Sequence, residues 1–437
     1  MEYNVVDINS SEKEVEIKLQ YEEIKKDIDD EVRKHAKSIQ IPGFRKGKVP
    51  LSMIKKMYGD ALEYEASEKV ANSLFWKVAD ENQLKPIGQP AMTDLKFEPE
   101  KDLTFKVKYE TIPTLNVSGY KNLTLDIPDY IVTDEEIEKE VGYILDSNKI
   151  LEDAEVIDGK QYVIDSEIIL TEKDGTTISE TKPEKMQIDL SAAGIAQEII
   201  ENANGKKVGE SFSFTFKDEH KHKLEDGTEE NHTQTYKYSV NILGIKKVVL
   251  PELNEELIKK VTKDKVSTEV ELRDEIKKDI QNYYDQRVEE LTRGKLVTEI
   301  IKNNDFNPPK TLVNNILEEY VKNEEEQAKK SKYPFNKEEA KTRLMKSAET
   351  EVKWYLIKNE IQKLENIIIT DDDLKELAEK DSQKTGIPVD KLLNYYKSSN
   401  QFEKTLDQKL FEFLKTNNTL NKVHPDKLNA NQEAINE

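Results

Sequence analysis

Hydrophobic residues follow two different periods along this chain. Apolar and charged residues alternate, as in β-strands, at Val15, Ile17 and Leu19, and the same alternation returns at Leu103, Phe105, Val107 and Tyr109. Between these stretches, apolar residues recur every three or four positions, which predicts helices. The N-terminal pattern therefore predicts a small sheet packed by helices, ending at about Pro113.

A second alternating region runs from residue 156 to residue 248. Asp-Gly pairs at Asp158, Asp174 and Asp226 predict turns within it. A short helix is predicted near Ile195 to Glu201. The predicted strands carry Ile164, Ile168 and Leu170; Met186, Ile188 and Leu190; Phe212, Phe214 and Phe216; and Tyr236, Tyr238, Val240 and Ile242. Before this region, Thr133-x-x-Glu136 is a capping-box signature that predicts a connector helix.

After Pro251 the pattern is almost wholly helical. Helix starts are predicted at Thr268-x-x-Glu271, Asn336-x-x-Glu339 and Thr370-x-x-Asp373, and breaks at Pro308-Pro309 and from Gly386 to Pro388. Two short helices and a polar tail from about Thr416, predicted to be disordered, complete the chain. Narrow apolar stripes with charged backs are typical of long arms around a cavity, although an ordinary helical bundle shows the same pattern.

The predicted fold class is α+β and multidomain. Its parts are a small α/β domain at 1–113, a connector with an arm helix at 114–155, a β domain at 156–248 and an all-α domain with extended arms at 249–437. Hydrophobic content is 36% and charged content 35%, against about 45–50% and about 25% in typical domains. We therefore expect several small cores rather than one large one.

Composition also excludes several classes of protein. The formal net charge of −21 argues against general nucleic-acid binding. The absence of cysteine excludes disulfides, thiolate metal sites and a cysteine nucleophile. The N-terminus lacks the basic start and apolar core of a signal peptide, and no apolar run approaches the ~18 residues that span a membrane. We expect a cytoplasmic protein without a membrane partner.

One segment departs from the acidic character of the chain. From Arg33 to Lys56 there are eight Lys or Arg residues and no acidic residue. The spacing predicts a helix over 21–39, then a loop, then a short helix that starts at Pro50, carries Leu51, Ile54 and Met57 as its apolar stripe, and ends at Gly59. Basic turns between helices are often only solvated, but Phe44 lies between two glycines at the loop apex. An aromatic residue there is a natural anchor for an anionic or acid-lined partner.

The ten residues from Ile41 to Pro50, Ile-Pro-Gly-Phe-Arg-Lys-Gly-Lys-Val-Pro, resemble the ribosome-docking signature of the bacterial trigger factor family. The resemblance extends more diffusely, in domain order, over nearly the whole chain. It implies a ribosome-associated, ATP-independent chaperone for nascent and unfolded polypeptides, docked at the exit tunnel on a ribosomal protein and nearby rRNA, with a possible homodimer off the ribosome. The implied ribosome-binding residues, of which Phe44, Arg45 and Lys46 are central, are Gly43, Phe44, Arg45, Lys46, Gly47, Lys48 and Pro50.

The region 156–248 is similar to the FKBP-type prolyl isomerase domain of that family, which makes peptidyl-prolyl isomerisation the alternative function. Such a site needs an aromatic and aliphatic pocket that desolvates the prolyl imide. The family's Ile-Pro-Gly-Phe-Glu segment falls on Ala196 to Ile200, its Phe-Glu-Gly-Gly element on Ile178 to Thr181, and its tyrosine loop on Asp218-Glu219-His220. The aromatic floor is missing, so the domain is expected to be degenerate and no catalytic residue is assigned.

No cofactor or metal is expected. No Gly-x-x-x-x-Gly-Lys-Ser/Thr loop for nucleotide phosphates is present. His220, His222 and His232 lie in the predicted loop without the fixed spacing of metal ligands. A third interpretation is an acidic helical scaffold, or an RNA-binding factor, that uses the basic segment on another partner.

Overall fold

The computed structural model describes residues 1–37, 39, 44, 49–178, 181–192, 194–223 and 229–428. The chain divides into two compact units, the first made of Met1–Asp129 and Val288–Glu437, the second of Tyr130–Arg287. Both helices and sheets are present in quantity, which confirms the α+β multidomain class. The boundaries at 113, 155 and 248 remain predictions.

The N-terminal part of the first unit is a four-stranded antiparallel sheet covered by two helices. The strand order is β1-β2-β4-β3. The predicted strand residues Val15, Ile17, Leu103 and Phe105 are buried in its core, because alternate residues of a strand face the same side. The elements are β1 (Glu2–Asp7), β2 (Glu12–Leu19), α1 (Tyr21–Ala36), α2 (Leu51–Glu81), β3 (Ile87–Lys96) and β4 (Leu103–Glu110).

The second helix is longer than the sequence pattern predicts. The prediction that it ends at Gly59 is wrong, because α2 continues through that glycine to Glu81. Buried residues follow one face on both sides of it, including Ile54, Leu62 and Ala66, and their burial outweighs the ~1 kcal/mol cost of a glycine inside a helix. Met57, predicted to lie on the apolar stripe, is instead 54% exposed.

The C-terminal part of the first unit is mainly helical. Leu296, Ile300, Ile357 and Leu410 form a buried core, which the segment around Val117 joins. The elements are β5 (Thr124–Pro128), the C-terminal half of α6 (Glu269–Asn303), α7 (Lys310–Ser331), α8 (Lys337–Leu364), α9 (Asp371–Thr385), α10 (Val389–Ser398), α11 (Gln401–Thr416) and β12 (Thr419–Val423).

The helix caps follow the predicted signals. Asn336 accepts hydrogen bonds from the backbone amides of Glu338 and Glu339 at the start of α8. Thr370 and Asp373 form a reciprocal capping box at the start of α9. That helix ends at Gly386 with φ of 72°, a left-handed conformation that glycine adopts without strain.

The prediction that the tail is disordered from Thr416 is wrong for its first part. Residues Thr419–Val423 form β12, which pairs in parallel with β5. The Asn418 side chain fixes this return of the chain: its amide donates to the Tyr120 carbonyl (2.9 Å), and its oxygen accepts from the Leu123 amide (2.7 Å). These polar pairings stabilise a segment too hydrophilic to be predicted as a strand.

The second unit combines a six-stranded sheet with helices. The predicted capping box holds, since the Thr133 amide donates to the Glu136 carboxylate (2.8 Å). The predicted turn at Asp174 also holds: Asp174 and Gly175 both have positive φ between two paired strands. The elements, besides the start of α6, are α3 (Asp134–Ser147), β6 (Ile150–Ala154), β7 (Tyr162–Lys173), β8 (Thr176–Thr177), β9 (Glu184–Asp189), α4 (Gln197–Ala203), β10 (Ser211–Lys223), β11 (Glu229–Val249) and α5 (Glu255–Thr262).

The prediction of a loop over Asp218-Glu219-His220 is wrong. These residues continue β10, where His220 pairs in register with His232 of β11. The polar composition of this hairpin hid its strand character, since only its first half carries the apolar alternation.

A carboxylate of the N-terminal sheet caps a helix of the C-terminal part of the same unit. Helix α7 follows Pro309 and has no cap from its own chain neighbours. The two Glu110 carboxylate oxygens accept from the backbone amides of Lys310 (3.1 Å) and Thr311 (2.8 Å). A negative charge at a helix N-terminus is favourable, because unpaired amides and the helix dipole point at it.

The neighbouring contacts are also polar and close. The Ser11 hydroxyl donates to the Asn307 carbonyl (2.6 Å), and the Asn307 amide donates to the Ser10 hydroxyl (3.0 Å). Gly88 faces the Thr311 side chain with no room for a Cβ. The start of α7 is thus held against the N-terminal sheet by hydrogen bonds rather than by apolar packing.

We predict that Glu110→Ala lowers the stability of the first turn of α7 by about 1 kcal/mol, the typical cost of losing a helix cap. Hydrogen exchange of the amides over 310–313 measures this. Glu81→Ala, which removes an exposed carboxylate at the end of α2, is the control and should leave those amides unchanged. Equal protection in both variants would contradict the capping role.

Candidate functional site

The predicted docking loop lies between α1 and α2. Gly43, Arg45, Lys46, Gly47 and Lys48 lie outside the described residues. Phe44 and Pro50 are described: Phe44 is 38% exposed, and Pro50 is the N-cap residue of α2.

Both ends of the loop are fixed in the core of the N-terminal sheet. Ile39 before it and Val49 after it are half-buried and pack against that core. Ile54, one turn into α2, is fully buried, and Ile28 and Val32 line the facing side of α1. The two fixed ends limit the positions that Phe44 can take, which lowers the entropy lost when it binds a partner.

Part of the positive charge near the loop is neutralised within α1. Arg33 pairs with Asp30 (3.4 Å) and Lys34 with Glu31 (2.5 Å), each three residues apart. The hydrogen bond between Lys34 and Glu31 raises the lysine pKa and lowers the carboxylate pKa. Arg33 and Lys34 lie in the last turn of α1, and both are paired within the helix. The number of basic residues in the sequence therefore overstates the unpaired charge at the end of α1.

An apolar face of α2 was missed by the sequence analysis. Met53, Met57, Tyr58 and Tyr64 are all exposed on this helix, close in sequence to the loop. Methionine adapts its shape to irregular apolar partners, and tyrosine offers a large contact area. Met53, Met57 and Tyr64 lie on one side of the helix, and their spacing in the sequence was the available signal.

The β domain has a packed core at the segment that aligns with the family's isomerase pocket. Ala196 is the N-cap residue of α4, and Ile199, aligned with the family's phenylalanine, is buried in the core with Phe212. Other aromatics of this domain lie on β7, as Tyr162, and along β10 and β11, where Phe214 stacks on Tyr238 with ring centroids 5.4 Å apart. These aromatic pairs strengthen the sheet, and the Ala196–Ile200 segment contributes no residue to them.

The side chains of His220, His222 and His232, considered as metal ligands, are not among those that the structure describes. Across the residues that the structure does describe, no group of three or more His, Asp or Glu side chains is arranged to hold a metal ion. In the same residues, no helix combines the length and apolarity needed to cross a membrane.

Separate small cores, a loop whose two ends pack on a core, and exposed apolar side chains on α2 are features of a multidomain chaperone. Two family models match the chain: "Bacterial trigger factor protein (TF)" over residues 1–144 and "Bacterial trigger factor protein (TF) C-terminus" over 270–421. The chain belongs to the bacterial trigger factor family. As a member, it is a ribosome-associated chaperone that binds nascent chains.

Similar proteins span nearly the same length. Trigger factor of Chloroherpeton thalassium is 29% identical over 95% of this chain and 97% of its own, and that of Chlorobium limicola is 26% identical over 96% and 97%. A solved structure of the trigger factor chaperone, 19% identical, covers 95% of this chain and 99% of its own with a TM-score of 0.52. This likeness shows the shared fold.

We predict that Ile54→Ala destabilises the base of the loop by about 2–5 kcal/mol, because it leaves a cavity in a packed core. Met57→Ala on the same helix should change stability by less than about 0.5 kcal/mol, since Met57 is exposed. Urea unfolding followed by Trp76 fluorescence, with Trp354→Phe as background, measures both. Similar losses in the two variants would mean that Ile54 is not a core residue.

Proposed function

We propose that the loop from Gly43 to Pro50 docks this chaperone beside the polypeptide exit tunnel, on a ribosomal protein and nearby rRNA. Phe44 is the apolar anchor, and Arg45, Lys46 and Lys48 pair with carboxylates or phosphates. Gly43 and Gly47 shape the loop, and Pro50 starts α2. The observation that carries the proposal is an exposed Phe44 between two chain ends fixed in a core.

The charge pattern supports the same role. In a chain of net charge −21, the segment from Arg33 to Lys56 has no acidic residue. The pairs on α1 neutralise its first cations, so the attraction to RNA or to an acidic protein is concentrated in the loop. Such attraction speeds and orients encounter with an anionic surface.

Clients bind to exposed apolar faces such as that of α2, and they leave without ATP as they bury their own apolar surface. The same exposed faces support a homodimer when the protein is off the ribosome, because two copies then shield each other. A cytoplasmic location follows from this function, since the ribosome is the docking partner.

We predict that replacing Phe44, Arg45 and Lys46 together by alanine abolishes co-sedimentation with ribosomes at moderate salt. If both cations face RNA phosphates, the slope of log affinity against log salt falls by roughly 1.5 in a variant that lacks only Arg45 and Lys46. The measurement is a ribosome sedimentation series in increasing salt.

The matched control is the replacement of Lys329, Lys330 and Tyr333 by alanine. This substitution removes the same kinds of side chain as the loop variant, two cations and an aromatic, near the end of α7. Tyr333 is 75% exposed there. This variant should sediment like the wild type. Loss of binding in both variants, or in neither, would contradict docking through the loop.

Isomerase activity is the alternative function, and we expect it to be absent because Ile199 fills a core position instead of a pocket floor. A short proline-containing peptide used as substrate distinguishes catalysis from chaperoning, because the peptide has no apolar core that a chaperone could shield. The protein should not accelerate its cis-trans exchange, which takes tens of seconds uncatalysed. Acceleration in proportion to protein concentration would establish the enzyme.

A further inference from the structure

A groove of about 740 Å³ follows one face of α8 in the first unit. Its floor carries Arg343, Lys346, Thr350 and Trp354, spaced by three or four residues as one helix face requires. Val297 of α6 and Asp407 of α11 also line it. This groove is separate from the loop and from the exposed face of α2.

The groove has an aromatic end. The Trp354 ring is half-buried against Phe411, with centroids 5.8 Å apart, and its other side lines the groove. Tyr355 beside it is 51% exposed. Aromatic surfaces held by packing on one side and open on the other bind apolar side chains with little ordering cost.

The lining of the groove also carries charged side chains. Its lining residues include three cations, Arg343, Lys346 and Lys358, and two carboxylates, Glu351 and Asp407. Lys358 is paired with Asp407 (2.9 Å).

Contacts with α7 occupy two more of these groups. Arg343 is paired with Glu324, and Glu351 accepts from the Tyr320 hydroxyl. Lys346 is exposed, two helical turns from Trp354, and the ion pairs among the described residues do not include it. Its ammonium group is therefore the lining cation that an occupant's carboxylate can pair with, while Glu351 already accepts from the Tyr320 hydroxyl.

We propose that this groove binds client segments in which a large apolar side chain lies beside an acidic one. The apolar group packs on Trp354 and Tyr355, and the carboxylate pairs with Lys346. The inference rests on the proposed function, because its occupant is a client polypeptide.

The occupant follows from charge complementarity. A chain with net charge −21 repels acidic segments over most of its surface. A groove that presents the exposed Lys346, a lysine outside the ion pairs described above, along the same helix face as two aromatic rings is a place where such a segment meets attraction and apolar contact together. The groove thus extends the range of clients that an acidic chaperone can hold.

The full-length chain offers a direct optical test. It contains two tryptophans, so Trp76→Phe leaves Trp354 as the only one, and its fluorescence reports occupancy of the groove. The probes are two capped peptides of identical length, one with the repeated core Glu-Phe-Glu-Leu and the other with Lys-Phe-Lys-Leu. We expect the acidic peptide to shift the Trp354 emission to shorter wavelength and to bind about threefold to tenfold more tightly at low salt, with the difference shrinking as salt is added.

Two variants in the same background separate the contributions of the lysine and of the aromatic surface. Lys346→Glu should abolish or invert the preference for the acidic peptide, whereas the control Lys322→Glu, an exposed lysine of α7 outside the groove, should preserve it. Tyr355→Ala should weaken both peptides to a similar degree, because it removes apolar area and no charge.

Equal binding of the two peptides, or equal effects of the two lysine reversals, would overturn the inference. Suppression of aggregation of an unfolded client by the wild type is measured in parallel. If the wild type suppresses aggregation but shows no preference for the acidic peptide, the groove assignment alone is rejected. If the wild type does not suppress aggregation, the chaperone function itself is rejected.

Discussion

The core around Leu296 and Ile300 is the interaction on which the first unit depends. These α6 residues are fully buried against Ile357 of α8 and Leu410 of α11, segments far apart in sequence. The chain around Val117, which leads away from the N-terminal sheet, enters the same core. Helix α8 enters this core through Ile357 and Ile361, so the packing fixes one end of the α7–α8 pair, which also has a core of its own.

The limited apolar content of the chain explains why this core leaves other surfaces open. With 36% hydrophobic residues, the protein fills several small cores and has little left to cover their outer faces. A charged content of 35% keeps those faces in solution despite residues such as Tyr58 and Tyr355 on them. A composition that is poor for one compact globule is therefore suitable for a protein that must expose apolar surface to other chains.

Sequence reasoning predicted the features that depend on local chemistry. The caps at Thr133, Asn336 and Thr370 are set by a side chain and an amide three residues away, and each was predicted in place. The features that it missed depend on partners distant in sequence.

Helix α2 passes Gly59 because Leu62 and Ala66 are buried beyond it, and β12 forms because β5 offers a free edge nearly three hundred residues earlier. The cap that Glu110 supplies to α7 joins residues about two hundred positions apart in sequence. For the loop, the sequence predicted Phe44 as an exposed anchor, but not the pairing of Arg33 and Lys34 within α1.

Weak binding by each exposed face is what allows release without an energy source. Covering the free half of an aromatic side chain removes roughly 100 Å² from water, which is about 2–3 kcal/mol at ~25 cal/mol per Å². Three such contacts give less than about 9 kcal/mol before the cost of association, estimated at about 4 kcal/mol or more, is subtracted. The remainder corresponds to dissociation constants of roughly 0.1 mM or weaker, so a client that gains even a few kcal/mol by burying the same side chains in its own core leaves the chaperone spontaneously.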